Sequence, residues 1–112
     1  MIRLTVLYPN TEGAWFNMDY YLQKHVALVK ERIASFEPVR VDVEEGMTGA
    51  VPNTPSPFCL IFSMTFESLE DLQTVMTMYG KELVADIANF TNIQVIMQTS
   101  RVIEPLLEVK RR

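Results

Sequence analysis

The sequence holds one cysteine, one histidine and one tryptophan in 112 residues. A lone Cys59 excludes an internal disulfide, so nothing points to an oxidising compartment and a cytoplasmic location is expected. With His25 the single histidine and no paired Cys or His spacing, a closed metal site lacks ligands and no metal is expected. A Cys59–His25 nucleophile pair is disfavoured too, because Cys59 sits in a strand-like run where structural thiols are common. No apolar run approaches the roughly 20 residues needed to span a bilayer, and residues 1–8 are too short and too alternating for a secretory segment, so no membrane partner is expected. Positive charge is also short: ten Lys and Arg against fourteen Asp and Glu leave a net charge of −4. That balance opposes binding to a phosphate backbone, and Lys110-Arg111-Arg112 reads as a solvated terminus, so no nucleic acid is expected.

What is present suits a packed core. Hydrophobic residues make up 48% and charged ones 21%, a globular balance over a length that fits a single domain, residues 1–112, with a core at about 2–102 and a tail at 103–112. Ile2, Leu4, Val6 and Tyr8 alternate with Arg3, Thr5 and Leu7 as a strand, ended by the turn residues Pro9 to Gly13. Val39, Val41 and Val43 alternate with charged residues as a second, edge-like strand. Residues 46–57 carry two glycines and three prolines, which continue neither regular pattern, and so long a loop suits a functional role or contact with a partner. Phe58 to Phe66 alternate as a third strand, and Ile93 to Ser100 as a fourth. Between these, Ser68 with Asp71 resembles a capping box for a helix through Leu72, Met76 and Tyr79, with Gly80 expected to break it before a further turn at Leu83, Val84 and Ile87.

The remaining stretch, Trp15 to Val29, organises the rest. Asn17 is the expected cap, and with about 100° per residue Leu22, Val26, Val29 and Ile33 form the buried stripe. His25 then falls at the border of that stripe, with Tyr21 one turn earlier on the same flank. An imidazole there touches an apolar ligand and still exchanges protons; a histidine packed at a core edge gives the same pattern.

The order β-α-β-β-α-β predicts an α+β, ferredoxin-like fold, a four-stranded antiparallel sheet with two helices on one face. Leu7, Ile61 and Ile96 fall on one register, and Ile2, Leu4, Val6, Phe62, Val95 and Met97 on the other. A sheet with two apolar faces and one helical layer predicts a homodimer joined sheet to sheet, with the apolar tail around Leu106-Leu107 packing on the neighbouring subunit. A ligand cavity is then expected inside each subunit, between helices and sheet, facing His25.

Tyr20-Tyr21-Leu22-x-x-His25-x-x-Leu28-Val29, the loop Pro52-x-x-Pro55-Ser56-Pro57-Phe58, Phe66-x-Ser68-Leu69-Glu70 and the run Ala85 to Gln94 together resemble the EthD-like proteins of the dimeric α+β barrel superfamily, over about residues 2–102. The resemblance implies a sheet-to-sheet dimer and a small pocket beside the helix-one histidine. Similar barrels include methylmuconolactone isomerases, polyketide cyclases and cofactor-free quinone-forming monooxygenases, several of which use a pocket histidine as acid or base. The chain departs from the family pattern at Ala27, where proline is frequent, and at Phe58 and Phe90, where tyrosine is frequent and could serve a proton relay.

The expected function is therefore binding of a small apolar, aromatic or lactone-like molecule by a degradation-type, cofactor-free enzyme such as an isomerase, cyclase or monooxygenase. His25 acts as general acid or base with Tyr21 donating to a developing enolate, while Tyr8, Trp15, Leu22, Phe62, Tyr79 and Asn89 contact the substrate. The competing expectation is a non-catalytic accessory or carrier dimer serving an oxygenase.

Overall fold

The computed structural model describes residues 1–103; the expectations for Leu106-Leu107 and Lys110-Arg111-Arg112 lie outside them. Strand β1 (Ile2–Pro9) alternates as its sequence dictates, with Leu4, Val6 and Tyr8 buried and their neighbours half-buried. Beyond it, Asn17 caps the first helix by accepting from the Tyr20 backbone N–H at 3.0 Å. That helix, α1, is composite: an α-helical turn Met18–Tyr20, a π-helical turn Tyr21–His25 and an α-helical segment Val26–Ile33, followed by a 3₁₀ turn Ala34–Phe36. Glu37, left-handed at φ 49°, turns the chain into β2 (Arg40–Glu45). Strand β3 (Phe58–Phe66), helix α2 (Leu69–Asp86), a 3₁₀ turn Ile87–Asn89 and β4 (Ile96–Arg101) complete the described chain.

The four strands form one sheet in the order β2-β3-β1-β4, every neighbouring pair antiparallel. Register places Leu4 opposite Met64 and Val6 between Phe62 and Met97, all on the face covered by the helices. Ile33, Leu60, Phe66 and Val75 are completely or almost completely buried there, each contributing about 1.5–3 kcal/mol by leaving water. The chain thus has the α+β fold that its pattern of elements implies.

Three sequence expectations change. The stripe on α1 includes Tyr21 and His25 but not Leu22, which is 50% exposed. The cause is the π turn: the Val26 backbone N–H donates to the Tyr21 carbonyl instead of the Leu22 carbonyl. The extra residue in that turn rotates everything before it, so Tyr21 takes the inward position that a regular repeat of about 3.6 residues assigns to Leu22. Second, α2 runs unbroken through Gly80. A mid-helix glycine costs only about 1 kcal/mol relative to alanine, less than the packing of Leu72, Val75 and Leu83 supplies. Its start follows expectation, with Ser68 Oγ accepting from the Asp71 backbone N–H at 3.2 Å.

The third change concerns the uncovered sheet face. Leu7 lies between Ile61 and Ile96 in one rung that ends at Glu44, and the next rungs carry Thr5, Ser63, Asp42 and Gln98, then Arg3, Thr65, Arg40 and Ser100. Arg3 donates to Thr65 at 3.0 Å and Arg40 pairs with Asp42 at 2.7 Å, so this face is mixed, with apolar character confined to one band. The other expected register, Leu4, Val6, Phe62 and Met97, faces the helices. At the end of β2, Gly46 closes onto Cys59 through a backbone hydrogen bond of 3.0 Å; a Cβ there would meet the Phe58 carbonyl, so the 46–57 loop leaves the sheet by a path only glycine allows.

Candidate functional site

Residues 13–17 and 90–93 are laced together. The Asn17 N–H donates to the Phe90 carbonyl at 2.7 Å, the Thr91 hydroxyl to the Trp15 carbonyl at 2.6 Å, and the Trp15 N–H to Asn92 Oδ1 at 2.9 Å. These bonds fix the start of α1 against the end of α2. They also bury Phe90 completely, with ring centroids 5.1 Å from Tyr21, 5.3 Å from Phe16 and 4.7 Å from His25. His25, in turn, stacks on Tyr21 with centroids 5.6 Å apart and planes 25° apart, and is 6% exposed.

On its other side the ring meets a carboxylate. His25 Nδ1 lies 2.8 Å from Asp86 Oδ2, while Asp86 Oδ1 accepts from the Tyr20 hydroxyl at 2.8 Å and from Asn89 Nδ2 at 2.9 Å. Burial disfavours the Asp86 charge, but donors from Asn89, His25 and Tyr20 outweigh it and hold the carboxyl below its ordinary range. A carboxylate accepting at Nδ1 fixes the tautomer: in the neutral ring the proton is on Nδ1 and the lone pair on Nε2. Nε2 has no hydrogen-bond partner among the described residues.

His25 forms part of a cavity between the two layers. Its floor is Leu4, Val6, Tyr8 and Phe62 from the sheet, and its roof includes Val29 of α1 with Met76 and Leu83 of α2. About 40 Å³ of it is open to water-sized occupants. Among the described residues no lysine, arginine, aspartate or glutamate lines it, leaving the His25 ring and the Tyr8 hydroxyl as the polar groups of this lining. Burial, then the neighbouring Tyr21, pushes the Tyr8 phenol far above its ordinary value, and burial does the same to Tyr21, so both hydroxyls remain donors. The Tyr21 hydroxyl is buried without a partner among the described residues.

Of the residues expected from sequence, His25, Tyr8 and Phe62 meet at the cavity, and Tyr21 stands behind His25. Asn89 instead bonds to Asp86. Trp15 is 49% exposed and tied by its backbone, Leu22 is turned outward, and Tyr79 packs on the core; none of the three lines the cavity. Asp86 and Tyr20 were not anticipated. One signal was available: Asp86 ends a helix whose last turn carries no basic residue, where the macrodipole disfavours negative charge. Such a residue needs donors elsewhere. Among the described residues no cluster of three His, Cys, Asp or Glu is placed to hold a metal.

The model of the EthD domain matches residues 16–94, which span α1, β2, β3 and α2 with Asp86. The chain belongs to the EthD family. Among solved structures it is similar to an EthD-like protein from Ralstonia eutropha, with 35% identity, 94% of this chain and 95% of that one covered, and a TM-score of 0.82. Two more distant structures share the fold. An ethyl tert-butyl ether D (EthD) family protein from Bacillus halodurans shows 20% identity and a TM-score of 0.62 over 92% of this chain and 99% of that one. A protein from Arabidopsis thaliana shows 14% identity and a TM-score of 0.67 over 96% and 100%. No curated protein matches this EthD-family chain.

Proposed function

We propose that this EthD-family chain binds a small neutral molecule between helices and sheet and moves a proton on it through His25, without a cofactor. The observation that carries this is the His25–Asp86 contact at the cavity wall, which leaves Nε2 as the free basic nitrogen beside an apolar space. Nε2 takes a proton from a carbon next to a carbonyl, or from a phenolic oxygen, and returns it at another position. Asp86 balances the imidazolium formed meanwhile, and Tyr8, with Tyr21 behind the ring, donates to the oxygen on which charge develops. A ligand carboxylate or phosphate would meet no lysine or arginine among the described residues of these walls, which favours neutral lactones, ketones and phenols.

A homodimer joined through the uncovered sheet face fits the same reading. The Ile96–Leu7–Ile61 rung, with Met47 and Val51 exposed on the 46–57 loop, supplies its apolar contact, and the Arg and Asp rungs its polar surround. Sedimentation of the chain and of Leu7→Lys tests the assembly: a dimer that becomes a monomer is expected.

The proton chemistry is tested by deuterium uptake from D2O into a panel of neutral cyclic ketones and lactones, followed by NMR. His25→Ala is expected to lose about 10²–10⁴-fold of the catalysed exchange while keeping ligand affinity, and Asp86→Asn to lose less. Tight binding without exchange across the panel overturns the enzyme reading in favour of the carrier.

A further inference from the structure

We propose that Met76, resting on Gly80, sets the largest ligand that the cavity admits; this rests on the cavity being the binding site proposed above. Gly80 is buried inside α2, and its backbone is not left-handed, so no turn or φ value demands glycine there. Glycine in a helix interior is a cost relative to alanine. What glycine supplies is room. A Cβ at position 80 would lie 3.1 Å from the Met76 Cε, 3.7 Å from its Cβ and 3.9 Å from its Sδ, so the Met76 methyl rests tightly against the place that a Cβ would take.

Met76 is also a cavity wall. Its unbranched, polarisable chain has several rotamers of similar energy, so it can lie flat along its own helix or extend into the space facing His25. Gly80 is the seat that lets it lie flat. A methyl at position 80 crowds the seat, and the Met76 tip, being the far end of a flexible side chain, gives way toward the open side, which is the cavity, rather than breaking the helix. Ligand size is thus controlled by a pair one helical turn apart on α2, on the opposite layer from the sheet floor.

The test uses the full chain and two neutral hydroxyl compounds that differ by one fused ring, phenol and 1-naphthol, titrated by calorimetry, with methionine methyls followed by ¹³C NMR. Gly80→Ala is expected to fold with an undiminished Tm, to shift the Met76 methyl resonance, to weaken 1-naphthol at least fivefold and to leave phenol within twofold. Adding Met76→Ala is expected to restore 1-naphthol to within twofold of the unmodified chain. An unchanged ratio of the two affinities in Gly80→Ala, equal weakening of both compounds, or a Gly80→Ala chain that fails to fold overturns the inference. If both compounds bind and only the ratio stays fixed, the size control alone is refuted. If neither binds the unmodified chain or Met76→Ala, the cavity reading falls with it.

Discussion

Replacing Tyr21 with phenylalanine separates what its ring does from what its hydroxyl does. The ring is completely buried between His25, Phe90, Phe16 and Tyr8, and Phe retains those contacts. The hydroxyl has no partner among the described residues, and burying such a group costs about 1–3 kcal/mol. Tyr21→Phe removes that cost and leaves only the space of one oxygen, for which about 1 kcal/mol is a reasonable offset. The expected result is a gain of about 1 kcal/mol, read in urea as a higher midpoint with an unchanged slope, or as a Tm higher by about 4–8 °C. In the deuterium-uptake assay the same variant is expected to be slower, because the proposed second donor, the unpartnered hydroxyl of the ring stacked on His25, is gone. A gain in stability with a loss in rate is the signature of a group kept for chemistry. A loss of 1 kcal/mol or more refutes the reasoning, since it means that the hydroxyl is satisfied in the folded protein.

Further outcomes follow from the same geometry. Asp86, whose carboxyl is held below its ordinary value, contributes stability that is present above the unfolded value of about 3.9 and lost as pH falls through the folded one; the stability gap between the native chain and Asp86→Asn in urea titrations is therefore expected to shrink as pH falls below about 4. On α1, Leu22→Lys is expected to change stability by less than about 0.5 kcal/mol and Ile33→Ala to cost about 2–5 kcal/mol, the reverse of equal burial, measured by thermal denaturation. Glu37→Gly is expected to stabilise by up to about 1 kcal/mol, because φ 49° is strained for a residue with a Cβ.

Sequence periodicity is enough to place three strands, both helices and all of the fourth strand but its start, which lies at Ile96 and not at Ile93, because alternation at two and recurrence near 3.6 are direct consequences of which side is buried. The serine and asparagine caps were legible for the same local reason. Leu22 was misplaced because periodicity assumes a regular turn, and nothing in Tyr21-Leu22-Gln23-Lys24-His25 announces an extra residue; the π turn is selected by the packing of Tyr21 and His25 on Phe90. Asp86 escaped notice because its partner is far away in the chain, and only the lacing of residues 13–17 to 90–93 brings the two together. The sheet face away from the helices looks more apolar in the sequence than it is, since Leu7, Ile61 and Ile96 are conspicuous while the polar rungs follow only from the register.

The wide turn of α1 bears on any attempt to transplant this site. Copying Tyr21 and His25 onto a standard helix at the same spacing would swing the tyrosine sideways and present a leucine-like residue to the interior. Conversely, deleting one residue between 21 and 25 would straighten the helix and carry the aromatic pair out of alignment with the far carboxylate. The imidazole's aim is a property of chain length as much as of residue identity, and a designer grafting it must import the extra residue along with the ring.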